Sequence, residues 1–171
     1  MNLRLVKLEP KYQSHLTKML DAWLADESKQ DFTPWAVVRN DYRDFDYYLA
    51  NLEVKDCTEG LVPDSTFFCL DLDKDMFVGA VNIRHTLNER LLRCGGHIGD
   101  GVLPSLRGKG IGTKMVSLAL EECRKLGIHR VLMVCDKENI ASARTIQKNG
   151  GILENEIIED GITEQRYWID L

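Results

Sequence analysis

Apolar positions along the chain follow two periods, and each stretch predicts an element. Leu3, Leu5 and Leu8 with Val6 mark a first strand, closed by Pro10, whose missing N–H and fixed φ suit a strand end or a helix start. Over residues 11–26, Leu16, Met19, Leu20, Trp23 and Leu24 recur at three- and four-residue spacing, which predicts a helix with one buried face. Residues 42–54 repeat the pattern more weakly through Tyr42, Phe45, Tyr48 and Leu49, read as packing residues. "STFFCLDL" (65–72) and "MFVGAVNIRHT" (76–86) flank the charged turn "DKD", a hairpin signal. "GGHIGDGVLP" (95–104) reads as another strand, whose glycines point to a bulge or to another backbone coming close.

A helix then runs from about Gly110 to Leu126, with Ile111, Met115, Leu118, Ala119 and Cys123 on one face and Gly127 at its C-terminal cap. "HRVLMVCD" (129–136) is nearly all apolar, as in a central strand covered on both faces. Asn139 to Lys148 forms a short helix ended by Gly150 and Gly151, and "GILENEII" and "EQRYWIDL" alternate as two final strands around Asp160–Gly161. The sum is an α/β (α+β) chain, a mixed, mainly antiparallel twisted sheet of about six to seven strands with about four helices. Residues 1–171 are read as a single domain.

Composition changes this picture little. Apolar residues make up 44% and charged residues 29%, a globular balance, and a formal charge of −5 with interspersed signs argues against a protein that neutralises nucleic-acid phosphates. Five cysteines form no C-x-x-C pair, so neither a disulfide framework nor a thiolate zinc site is expected. Cys94 and His97 would be half of a metal site without a second half. Arg4, Lys7 and Glu9 break the N-terminus as a signal segment and no apolar run reaches about 20 residues, so the expectation is a cytoplasmic chain with no membrane partner.

The chemistry concentrates in "VLPSLRGKGIGTKM" (102–115), where strand, turn and helix meet. Glycines 108, 110 and 112 let backbone N–H groups turn inward and let a ligand approach the main chain. The following helix N-terminus adds orphan donors and a positive dipole end, and Arg107 and Lys109 add charge, which together suit a pyrophosphate; the bland alternative is a basic turn capped by glycines. No Walker run is present, and Thr113 stands where the dinucleotide fingerprint needs its third glycine.

Arg107-Gly108-Lys109-Gly110-Ile111-Gly112 resembles the acetyl-CoA motif [Arg/Gln]-x-x-Gly-x-[Gly/Ala] of the GCN5-related N-acetyltransferase (GNAT) family. "CDKENIASARTIQKNGGIL" (135–153) is similar to that family's next element, an Asn at a strand end leading into a helix that closes with glycine. The resemblance covers roughly residues 76–171 and implies the GNAT fold, with the acetyl-CoA half there and an acceptor-shaping half over about 1–75. It implies acetyl-CoA as cosubstrate without metal, and direct acetyl transfer to a primary amine of a small molecule or peptide. It further implies main-chain groups of Val102 and Leu103 pairing with the pantetheine arm, and amides from Gly108 through Gly112, Lys109 and Ile111 included, holding the pyrophosphate. Asn139 would bond the pantetheine region with Ser142 one turn later; as a plain helix N-cap, Asn139 would be equally at home.

Transfer needs a neutral amine near the thioester and a stabilised oxyanion. His97 and Asp100, on the strand before the motif, are the candidate catalytic bases, with His85 and Glu89 behind them; a sheet histidine and a turn aspartate are the bland alternatives. The family's usual acid, a tyrosine in the last helix, is replaced by Ile146, and its phenylalanine by Gly151. That departure leaves a second reading open, a catalytically silent acyl-CoA sensor; a phosphate-loop nucleotide binder is a third. Trp23, Phe32, Trp35 and Tyr48 among Asp26, Glu27, Asp31 and Asp41 are read either as an acidic aromatic pocket for a cationic amine or as core plus a solvated face. A homodimer is compatible with all of this.

Overall fold

A computed structural model describes residues 1–26, 34–58 and 60–171. Its strands are β1 (Leu3–Val6), β2 (Asp64–Asp71), β3 (Met76–Arg84), β4 (Ile98–Val102), β5 (Arg130–Asp136), β6 (Ile152–Glu159) and β7 (Ile162–Asp170). Its α-helices are α1 (Gln13–Leu24), α2 (Phe45–Asn51), α3 (Glu89–Cys94), α4 (Ile111–Lys125) and α5 (Ile140–Lys148). Every strand and four of these helices match the sequence pattern. The fifth, α3, was not anticipated: "ERLLRC" buries no residue and forms because Asn88 caps it, its Oδ1 accepting from the Leu91 N–H at 2.9 Å.

The expected sheet divides in two. One runs β1-β2-β3-β4 and the other β5-β7-β6, each with antiparallel pairings. The first sheet is covered on both faces. Leu16, Met19, Leu20 and Trp23 of α1 pack with Phe45 and Tyr48 of α2 against Phe68, Leu70 and Ala80, while α4 sets Ile111, Met115, Ala119 and Cys123 against Phe67, Cys69, Val81 and Val102 on the other side. That double cover explains the unbroken burial of β2, where alternation would leave one face wet. On the second sheet α5 covers Met133, Cys135 and Tyr167 with Ala143 and Ile146.

Gly151 shows how tightly α5 is fitted. A Cβ there would sit 2.4 Å from Ile146 Cγ2 and 2.9 Å from the Ile146 carbonyl oxygen. Ile146 is fully buried and cannot retreat. Gly151→Ala is therefore expected to destabilise the fold by about 1–3 kcal/mol, read as a lower urea midpoint at unchanged slope.

Candidate active site

The two sheets meet at a seam of two residues. The His97 N–H donates to the Leu132 carbonyl at 2.8 Å, and His97 Nδ1 accepts from the Leu132 N–H at 2.9 Å. Gly96 permits that approach, since a Cβ on it would lie 2.5 Å from the Leu132 oxygen. Beyond the seam β4 and β5 share no ladder, so a gap opens between them toward Val102 and Asp136.

Alternation decides which backbone groups line the gap. The Leu103 N–H donates to the Val78 carbonyl and the Arg84 N–H to the His97 carbonyl, so the intervening Gly99 and Gly101 also face β3. The main-chain groups of Ile98, Asp100 and Val102 turn the other way, along the open edge. Val102 and Leu103, paired in the sequence reading, thus have different surroundings. The Leu103 amide is used inside the sheet, and the Val102 carbonyl accepts from Arg107 Nε at 3.0 Å.

At the mouth of the gap stands the glycine turn. Gly108 and Gly110 have φ of 76° and 79°, a left-handed conformation that glycine adopts without penalty, and a Cβ on either would meet nothing within 4 Å. Gly110 is the N-cap of α4 and contributes no side chain, leaving the first amides of the helix open. Gly112 lets α4 approach its neighbours: its Cβ position is 3.7 Å from Val102 Cγ2 and 3.8 Å from Thr145 Oγ1. Lys109 Nζ donates to the Ser105 carbonyl at 3.3 Å, and Ile111 is buried beneath the turn. Asn149, not singled out from the sequence, cross-braces the two helices, its Nδ2 donating to the carbonyls of Thr113 and Thr145. Its signal was only a polar residue at a helix end.

Across the gap, Asn139 caps α5 with its Oδ1 accepting from the Ser142 N–H at 3.1 Å, so the capping role is real. Its Nδ2 makes no hydrogen bond among the described residues. Burial pushes the nearby Cys135 thiol up to about 11, with Ser142 lowering it and the Asp100 carboxylate raising it.

Asp100 and His97 have opposite electrostatics. Burial alone raises the Asp100 carboxyl to about 6. His97 is lowered to about 4, first by burial and then by Arg84. Its Nδ1 lone pair is already engaged by Leu132, so as the neutral Nε2–H tautomer it has no nitrogen free to take a proton while the seam holds. Of the farther candidates, His85 Nε2 lies 2.9 Å from Ser65 Oγ, and Glu89 opens α3.

In the acceptor-shaping half, Trp23 and Tyr48 are core, the Tyr48 hydroxyl donating to the Val37 carbonyl at 2.9 Å, while Trp35 is exposed. Glu27, Asp31 and Phe32 lie outside the described residues. Among the described residues no group of three or more His, Cys, Asp or Glu could hold a metal ion, and no helix is long and apolar enough to cross a membrane.

A family model described as an acetyltransferase (GNAT) domain matches residues 2–152. A glucosamine 6-phosphate N-acetyltransferase from Arabidopsis thaliana is 39% identical over 57 residues, 31% of this chain and only 38% of that protein. Among solved structures, a GNAT-family acetyltransferase from Bacillus anthracis superposes with a TM-score of 0.67 at 19% identity, covering 99% of this chain and 95% of that one. A spermidine N-acetyltransferase chimera from Vibrio cholerae gives 0.66 at 16%, covering 99% and 96%.

Proposed function

Since the chain belongs to the GNAT acetyltransferase family, we propose that it takes an acetyl group from acetyl-coenzyme A and transfers it directly to a primary amine of a small molecule or peptide. One observation carries this reading: two left-handed glycines and an uncapped helix N-terminus stand beside the unpaired edge of β4. The open amides of Gly108 to Gly112 suit a diphosphate, and the strand edge suits an amide-bearing arm that adds as a partial strand. Asn139 Nδ2 and Ser142 would meet the same arm from α5.

In the reaction the amine nitrogen bonds to the thioester carbon, and the carbonyl oxygen takes negative charge near the Val102 N–H on the open edge. The nitrogen then sheds its proton through water to ionised Asp100, the carbon–sulfur bond breaks, and Asp100 returns that proton to the departing thiolate. A carboxyl held at about 6 can serve both steps, which matters where Ile146 offers no acid. His97 is assigned a positioning role, holding β4 against β5 at the closed end of the gap.

Calorimetry with coenzyme A and with ATP tests the binding half, and release of free thiol from acetyl-CoA across a panel of amines tests the chemistry. Binding of coenzyme A but not ATP, with thiol released in step with amine, is the expected result. No affinity for coenzyme A would remove the proposal, and affinity with no turnover on any amine would favour a silent sensor.

A further inference from the structure

One strand face carries unspent polar atoms. Glu164 Oε2, Arg166 Nε and Trp168 Nε1 are buried and lack any hydrogen-bond partner among the described residues, and all three belong to β7 at alternate positions. Met133, Cys135 and Tyr167 point at α5, so Glu164, Arg166 and Trp168 lie on the opposite face, level with Asp136, Val134 and Leu132 of β5. The row starts at the seam, where the Trp168 ring lies 6.5 Å from that of His97. It ends with Glu164 beside Asp136, the last residue of β5, at the mouth of the gap.

The two terminal nitrogens of Arg166 are engaged. Its Nη1 donates to Glu154 at 2.6 Å and to Asn155 at 2.9 Å, and its Nη2 to the Leu92 carbonyl of α3 at 2.8 Å, which fixes the guanidinium and leaves Nε unspent. Glu159 is matched by Arg93 at 2.6 Å. Glu164 and Asp136 have no ion pair among the described residues: the row's own cation, Arg166, is paired to Glu154, and Arg130 lies over the Trp168 ring at 4.5 Å at the far end. Three buried polar atoms without partners cost about 1–3 kcal/mol each, a penalty that a ligand of matching polarity would relieve.

We propose that this row is the acceptor wall, and that the acceptor is a primary amine that also carries oxygen acceptors, its amino group donating to Glu164 and its oxygens accepting from Arg166 Nε and Trp168 Nε1. The inference rests on the acetyltransferase reading and narrows its substrate class. A site built to bond oxygens rejects an analogue that lacks them, because its own donors are then stranded. The raised Glu164 carboxyl, desolvated and facing Asp136 and Glu159, accords with a carboxylate waiting for a cation.

Glucosamine and cyclohexylamine present the same ring with and without oxygens, and they are the probes. The wild-type chain is expected to show at least roughly tenfold higher kcat/KM on glucosamine, a margin that Trp168→Phe narrows. Glu164→Gln is expected to lower kcat/KM for glucosamine at least roughly tenfold while the KM for acetyl-CoA moves less than about twofold. Equal wild-type rates on the two amines, or an unimpaired Glu164→Gln protein, would overturn the inference. The two-amine comparison needs no variant and so survives any failure to fold. A wild-type chain that binds coenzyme A yet acetylates neither these probes nor spermidine would instead count against the acetyltransferase reading and take this one with it.

Discussion

Replacing Gly110 with aspartate is expected to leave the fold standing and to weaken coenzyme A binding about 100-fold or more. The space is there, since nothing lies within 4 Å of the added Cβ, and aspartate is among the few side chains that tolerate a φ of 79°. At a helix N-cap its carboxylate even supports α4 by accepting from the exposed amides. Those are the amides assigned to the diphosphate, so the substitution fills the anion site with the protein's own charge. Losing charge-assisted hydrogen bonds worth about 1.5–3 kcal/mol, with repulsion added, gives the stated factor. Gly127→Ala, at a φ of 76° and in equally open space, is the control. It should bring about 1 kcal/mol of backbone strain and leave calorimetric affinity untouched. Tight binding by Gly110→Asp would show that the phosphates sit elsewhere.

Asp100→Asn should raise stability and abolish most turnover. Burial holds this carboxyl at about 6, above the 3.8 of an exposed aspartate. Between those values the folded chain binds a proton that the unfolded chain has released, so stability declines as pH rises through the window and the full cost is present above 6. Asparagine removes the charge, and at pH 7.5 the variant should be more stable by on the order of 2 kcal/mol, a gain that vanishes below about pH 4. The same change takes away the proton relay. A kcat lower by about 100-fold or more is expected, together with loss of the rising limb that ionisation of Asp100 gives the wild-type rate near pH 6. A variant that is stabilised but fully active would leave Asp100 as a buried burden with no part in the chemistry.

The elements were legible in the sequence because most bury one face. Leu16, Met19, Leu20 and Trp23 announce α1 by spacing, and Gly127 and Gly150 mark helix ends through their positive φ. The glycine turn was legible for the same local reason, its positive φ values being ones that glycine adopts without penalty. What could not be read depends on partners far away in the chain. The helix α3 has no apolar face and exists through a cap and the reach of Arg166 to Leu92, 74 residues apart. The split of the sheet hinges on His97 meeting Leu132, 35 residues on. His97 looked like a base because a histidine in a glycine-rich strand offers no hint that a backbone amide will claim its nitrogen. The polar row on β7 hid within an ordinary alternation; a glutamate, an arginine and a tryptophan on one face of a strand was the available signal.

Unpaired strand edges are ordinarily where proteins clump, because any passing strand can complete them. The outer edges here are blunted: β1 has four residues, and β6 carries Glu154, Glu156 and Glu159. The edges of β4 and β5 need no such guard, since they face each other across the gap inside the molecule. Opening the molecule from within thus keeps that unspent hydrogen-bonding capacity away from its outer rims.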